Sequence, residues 1–193
     1  MRQPRQPREI SHQAVGAYGE KIVEGELLRR GWITSNVNAS IKNAVDFDLF
    51  ALKQSRAVQI RVKTSGPGQN AFQFRFRLGH DIAADTFARS DFTILVRMGE
   101  TRENDQFYVV PTGVVRDAIA NWSREYLNTK KRDGQPRKDT GQWVLDLPGD
   151  PNRLNKGFEK KWAKYRDNWS ALERKRKQLA RVSAMPQSST GTT

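Results

Sequence analysis

The order of helical and period-two segments along this 193-residue chain predicts an α/β (α+β) protein, a mixed central sheet flanked by helices with an added C-terminal helix. Three observations predict it. A helical pattern opens the chain at 11–30. Two strictly alternating stretches follow at 45–51 and 56–65, close enough to pair. The most apolar run, 92–98, then leads to another short strand and a second helical pattern at 112–127, as expected when a buried strand lies between helical layers.

Composition narrows the class. Lys and Arg number 34 against 21 Asp and Glu, a formal charge of +13. Such an excess is an electrostatic footprint for phosphate polyanions, bound through counterion release. Nucleic acid is the expected partner. No membrane is, since no window approaches the roughly 18 apolar residues that a span needs. Residues 1–10 are rich in Pro, Gln and Arg, lack the apolar core of a secretory signal, and read as a disordered basic arm. The expected location is cytoplasmic, nucleoid-associated if the source is bacterial. Cysteine is absent, and His12 and His80 are the only histidines. This excludes disulfides, thiol nucleophiles and Cys- or His-based metal sites, so any metal would be a hard cation held by carboxylates.

Each element has a local reason. Ser11 offers an N-cap, Val15, Ile22, Val23, Leu27 and Leu28 keep helical spacing, and Gly31 is a stop. Gly16, Gly19 and Gly25 each cost a helix about 1 kcal/mol relative to Ala, which close approach to a sheet would explain. Residues 32–37 read as a first strand and 38–44 as a polar connection. In the hairpin, Asp46 and Asp48 share one face of the first arm. Gln59, Arg61 and Lys63 oppose Val58, Ile60 and Val62 on the second. Residues 72–78 alternate Phe with Gln and Arg, 80–89 fit a loop or a short helix, and 107–110 form a strand closed by Pro111. Thr112 can cap the helix to 127, a basic loop follows at 130–141, and 142–147 read as an edge strand. Phe158, Trp162, Tyr165, Trp169 and Leu172 keep helical spacing in a last helix, 157–181. The expected organisation is an arm at 1–10, a core at 11–147, a turn and basic helix at 148–181 and a disordered tail at 182–193.

Taken together, Gly16-x-x-Gly19-Glu20 on an opening helix, then Phe47-Asp48-Leu49, then Val62-Lys63-Thr64, resemble the PD-(D/E)XK phosphodiesterase superfamily. That is the restriction-endonuclease-like fold, which includes Holliday-junction resolvases. The resemblance covers roughly 15–127. It implies a Mg²⁺- or Mn²⁺-dependent nuclease acting on DNA, with a homodimer compatible with it. By position it implies Asp48 as metal aspartate, Lys63 as the lysine that orients or activates water, and Glu20 as the helix acid.

One position departs from the pattern. Two residues before Lys63 stands Arg61, where the family has an acidic residue or Gln. Arginine cannot ligate a metal. Two like unit charges at about 4 Å already cost about 4 kcal/mol at an effective dielectric of about 20. Two arrangements avoid the conflict. In the first, Gln59 and Asp46 form a metal site shifted by two residues, with Arg61 in the lysine role. In the second, Arg61 swings aside and Asp46, Asp48 and Glu20 bind the ion. Cross-strand ion pairing of these acids and bases is the structural alternative. Arg75, Arg77, Lys130, Lys131 and Arg132 are the candidate nucleic-acid contacts. A nuclease is thus the first expectation, and a decayed nucleic-acid-binding module on the same fold the second.

Overall fold

A computed structural model describes residues 10–40, 47–67, 71–75, 90–146 and 162–174. Helix α1 (His12–Arg29) begins as its cap predicts: the Ala14 N–H donates to Ser11 Oγ at 3.2 Å. It ends where Gly31 takes the left-handed backbone at φ 77°. Strand β1 (Ile33–Asn36) and a single helical turn, α2 (Val37–Ser40), lead to the hairpin β2 (Leu49–Lys53) and β3 (Arg56–Ser65). β4 (Ala71–Arg75), β5 (Phe92–Arg97), β6 (Gln106–Pro111), α3 (Thr112–Asn128) and β7 (Gln142–Asp146) follow.

The main sheet has the order β1-β2-β3-β5-β6. It is mixed: β3 and β5 run parallel, and the other neighbours run antiparallel. β5 is the central buried strand that its apolar run predicts. β4 and β7 form a separate two-stranded sheet, so the expected edge strand at 142–147 pairs with β4 and not with the main sheet.

Alternation divides the core in two. Leu49, Val58, Ile60, Ile94 and Val109 face α1, packing with Val23 and Leu27. Leu95, Tyr108 and Val110 face α3 and the small sheet, packing with Val115, Ile119, Phe74 and Trp143. The side of β3 that carries Lys63 is therefore the side that the small sheet covers. Among the described residues no helix is long and apolar enough to cross a membrane.

At Gly19 helix α1 closes directly onto β3. A Cβ built there would stand 1.8 Å from Thr64 Oγ1 and 2.9 Å from Thr64 Cβ. At Gly16 and Gly25 it would meet nothing within 4 Å, so close packing explains only one of the three helix glycines. Gly19→Ala is expected to cost about 1–3 kcal/mol, the range for overpacking a filled site. Thr64→Ala in the same chain should recover part of that loss, since it removes the clashing hydroxyl but leaves Cβ. Chemical denaturation of the two single variants and the double variant measures this coupling.

Two expectations need correction. Thr112 does not cap α3. Pro111 stands at the N-cap, and the Thr112 hydroxyl instead meets Ser90 Oγ at 2.9 Å and Thr93 Oγ1 at 3.1 Å. Nor do the described residues of 157–181 form one helix. Residues Ala163–Tyr165 and Trp169–Glu173 are two 3₁₀ turns, separated where Asp167 takes φ 50°. Their apolar stripe is split between the cores: Trp162 joins the α3 side, and Trp169 and Leu172 join the α1 side. Between them the chain crosses the edge of β6, with Arg166 bridging Tyr108 and the Asp167 N–H donating to the Phe107 carbonyl at 2.8 Å. The segment covers a sheet edge that would otherwise present unpaired backbone groups.

Candidate active site

The site forms where β2 stops following β3. The last residue pair of their ladder is Leu49 with Ile60. One residue earlier, Asp48 is held on three sides. Its N–H donates to the Ile60 carbonyl at 2.9 Å, and its carbonyl accepts from the Val37 N–H at 2.9 Å. Its Oδ2 accepts from the Val62 N–H at 2.7 Å. A side-chain carboxylate thus continues the ladder that the backbone of β2 has left.

Glu20 reaches the same place from α1. Asn36 Nδ2 donates to Glu20 Oε2 at 3.1 Å. Asn38 Nδ2 donates both to Glu20 Oε1 at 3.0 Å and to Asp48 Oδ1 at 2.9 Å. The two carboxylate oxygens are therefore no farther apart than those two bonds laid end to end. Asn38 Oδ1 is buried and has no hydrogen-bond partner among the described residues.

A hollow of about 500 Å³ opens beside this pair, lined by Glu20, Asp48, Arg61, Lys63, Thr64 and Gln73, with Gly16 and His12 at the α1 side. The Lys63 ammonium stands 5.7 Å from the centre of the Phe74 ring, on the small sheet. Two carboxylates and two bases therefore share one concave surface with the His12 imidazole. Among the described residues no cluster of three or more acidic or histidine side chains is present, and the carboxylates that line the hollow are those of Glu20 and Asp48.

The other expected site residues divide clearly. Gln59 does not line the hollow. Its backbone N–H donates to Asp91 Oδ2 at 2.9 Å, and its carbonyl accepts from the Asp91 N–H at 2.8 Å. Asp46 and Arg77 lie outside the described residues. Arg75 ends β4, in register with Gln142. Lys130, Lys131 and Arg132 are exposed in the loop after α3, away from the hollow's lining. In that loop the acids face inward to the backbone: Asp133 accepts from the Gln135 N–H at 3.0 Å and Asp139 from the Gly141 N–H at 2.8 Å. The Arg137 guanidinium lies 4.6 Å from the Tyr126 ring centre, which Trp122 and Trp143 meet edge-on. The loop is thereby ordered while its lysines stay in solvent.

Sequence patterning passes over Asn36, Asn38 and Asp91, because each acts through a partner distant in the chain. Asn38 lies in a stretch readable only as a polar connection. The one available signal was its place between the first strand and Asp48.

The placement of Glu20 depends on how α1 is anchored. Tyr18 Oη donates to Asp105 Oδ2 at 2.8 Å, tying the helix to the β5–β6 turn, and burial together with this bond raises the Tyr18 pKa. Glu26, with its side chain 9% exposed, accepts from Arg102 at 2.7 Å and from Arg29 and Arg30. Burial alone would raise its pKa. The hydrogen bonds and charges of Arg30 and Arg102, with Arg29, outweigh that and hold the carboxyl below its ordinary value.

The fold is similar to that of the bacterial homing endonuclease I-Ssp6803I, with a TM-score of 0.50 at 15% identity, covering 84% of this chain and 93% of that one. Weaker likenesses are to Hjc, a Holliday junction resolvase from the archaeal hyperthermophile Archaeoglobus fulgidus (TM-score 0.36, 14% identity, 68% of this chain and 83% of that one), and to MepB (0.31, 14%, 77% and 95%). No protein-family model and no curated protein sequence matches the chain.

Proposed function

Starting from the restriction-endonuclease-like fold of the PD-(D/E)XK phosphodiesterases, which this chain has, we propose that it is a divalent-metal-dependent endonuclease acting on DNA. The observation that carries this is the convergence of Glu20 and Asp48 on one amide nitrogen, at the rim of a hollow that also holds Arg61 and Lys63.

The donor set fits a hard cation. Mg²⁺ is commonly bound through one or two carboxylates plus substrate phosphates, and it retains several waters. Two carboxylate oxygens converge here, and Asn38 Oδ1, on the amide that joins them, is buried without a partner among the described residues. Glu20 and Asp48 would hold Mg²⁺ or Mn²⁺, which when bound lowers the pKa of a water ligand and offsets charge on the phosphate. Lys63, on the strand face opposite Val62, would orient the attacking water and balance charge as the transition state forms. Arg61 is assigned to the substrate. Its planar fork suits phosphate oxygens, and a fixed positive charge that would repel a cation attracts an anion. Among the described residues the two acids of the hollow balance its Arg61 and Lys63 before DNA enters, so phosphate adds negative charge that favours cation binding.

The exposed Lys130, Lys131 and Arg132 would contact the phosphate backbone. Replacing all three with Ala should flatten the dependence of log K on log salt by about 0.9 for each phosphate no longer neutralised, with cleavage at saturating DNA retained. Fluorescence anisotropy across a salt series measures it.

Incubating the chain with supercoiled plasmid, branched DNA and RNA, with Mg²⁺ or Mn²⁺ and with chelator, tests the proposal. Metal-dependent nicking or linearisation of DNA is expected. Intact DNA with retained, salt-sensitive binding would select the decayed binding module, and no binding at low salt would remove both.

A further inference from the structure

We propose that Asn38 is a switchable ligand: its amide N–H groups stand in for the cation between Glu20 and Asp48, and its carbonyl oxygen turns to the cation when one binds. This deepens the metal-dependent reading above and rests on it.

The hydrogen bonds separate the four carboxylate oxygens into two kinds. Glu20 Oε2 is tied to Asn36 and Asp48 Oδ2 to the Val62 N–H. The remaining two, Glu20 Oε1 and Asp48 Oδ1, meet at Asn38 Nδ2. An amide nitrogen has two hydrogens, and both are needed to serve both carboxylates. It is a neutral group with partial positive charge, seated where two anions face each other.

The other end of the same amide is the unusual part. Asn38 Oδ1 is buried and, among the described residues, without a partner. With no partner for this oxygen among the described residues, the orientation of the amide is set by the two carboxylates alone, and nothing at its other end holds it against turning. The terminal torsion of Asn is broad and roughly two-fold, so about half a turn exchanges nitrogen and oxygen with little movement of the backbone. After that exchange three oxygens converge: one from Glu20, one from Asp48 and one from Asn38. Without a cation they would repel one another. With one they form a set of hard ligands, at about 2.1 Å for Mg²⁺ in place of the 2.9–3.0 Å of the amide contacts.

This also accounts for Arg61. Strand β3 carries a base where the family pattern has its third metal ligand. The connection between β1 and β2 supplies a neutral oxygen from the other side of Asp48, which leaves Arg61 to the phosphate.

The test uses the full chain, alone and with a phosphorothioate duplex. Free Mn²⁺ is titrated by electron paramagnetic resonance, and the metal-free melting temperature is measured beside it. Asn38→Leu is expected to weaken Mn²⁺ binding about 10–100-fold, the scale seen when groups supporting a metal's ligands are lost. Asn38→Asp, nearly isosteric, is expected to bind Mn²⁺ more tightly than the parent, and to melt lower without metal because three carboxylates then face one another. A merely supporting side chain would not raise affinity when its amide becomes an acid. Asn38→Asp that binds no more tightly than the parent overturns the proposal, as does Asn38→Leu that folds and binds Mn²⁺ as the parent does. In both cases parental Mn²⁺ binding leaves the Glu20–Asp48 site standing. If the parent and Asn38→Asp both bind no Mn²⁺, alone or with the duplex, the metal-dependent reading falls with it.

Discussion

Lys63→Met is expected to slow metal-dependent DNA cleavage by about 10²–10³-fold, the scale for removing one preorganised group that stabilises transition-state charge. Methionine retains most of the stem that packs near Phe74, so the melting temperature should stay close to the parent's. DNA affinity should fall only slightly, since one positive charge of many is lost. Asp48→Asn should produce a loss of the same order through a different route. Its side-chain oxygen can still accept the Val62 N–H, which keeps that contact. What disappears is the negative charge facing Glu20 and, with an amide nitrogen in place of Oδ1, the acceptor of the Asn38 hydrogen bond. Single-turnover cleavage of plasmid at saturating enzyme, over a range of Mn²⁺ concentrations, separates the two. Asp48→Asn should be partly rescued by high metal, and Lys63→Met should not. If either variant cuts as fast as the parent at low metal, that residue has no part in the chemistry.

Glu26→Ala is expected to destabilise the chain markedly. It removes one buried carboxylate and leaves Arg29, Arg30 and Arg102 facing one another. Those arginines keep contact with water, so the cost is that of the lost charge-assisted hydrogen bonds, about 1.5–3 kcal/mol. For a chain of this length that amounts to roughly 3–12 °C in melting temperature. The consequence reaches beyond stability. Arg30 also stacks on Trp169, 4.4 Å from its ring centre, so the same cluster joins α1 to the segment that covers the β6 edge. Because α1 carries Glu20, loosening it should also weaken metal-dependent cleavage.

The pH dependence has a definite sign. The folded-state pKa of Glu26 lies below its ordinary value, so its contribution is complete above the unfolded carboxylate pKa. That contribution disappears as pH falls through the folded value. The gap in melting temperature between parent and Glu26→Gln should therefore be widest near neutral pH and close on acidification. A gap that stays constant across the acid range would mean that the carboxylate's charge is not what holds the cluster.

Legibility followed the range of the interactions. The 56–65 strand was readable to the residue, because alternation in a half-buried strand is imposed by the pleat and recorded locally. The opening helix was equally readable from Ser11 and Gly31. The C-terminal stripe misled for a physical reason. Spacings of three and four residues say that apolar side chains recur, and here they recur because the chain crosses a sheet edge and drops Trp162 into one core and Trp169 into the other. Periodicity carries no information about which neighbour each residue meets.

By itself, the sequence determined the charge, the lack of cysteine in this chain, the alternation that builds the sheet, and the types of residue available to the candidate site. Tertiary structure alone decided that Glu20 and Asp48 meet through Asn38, that Gln59 lies outside the hollow, and that Gly19 rests on Thr64. Those outcomes depend on the closing of α1 onto β3, elements that the chain separates by the whole of β1, α2 and β2. Only packed coordinates record that approach, because no local pattern of side chains has to change to permit it.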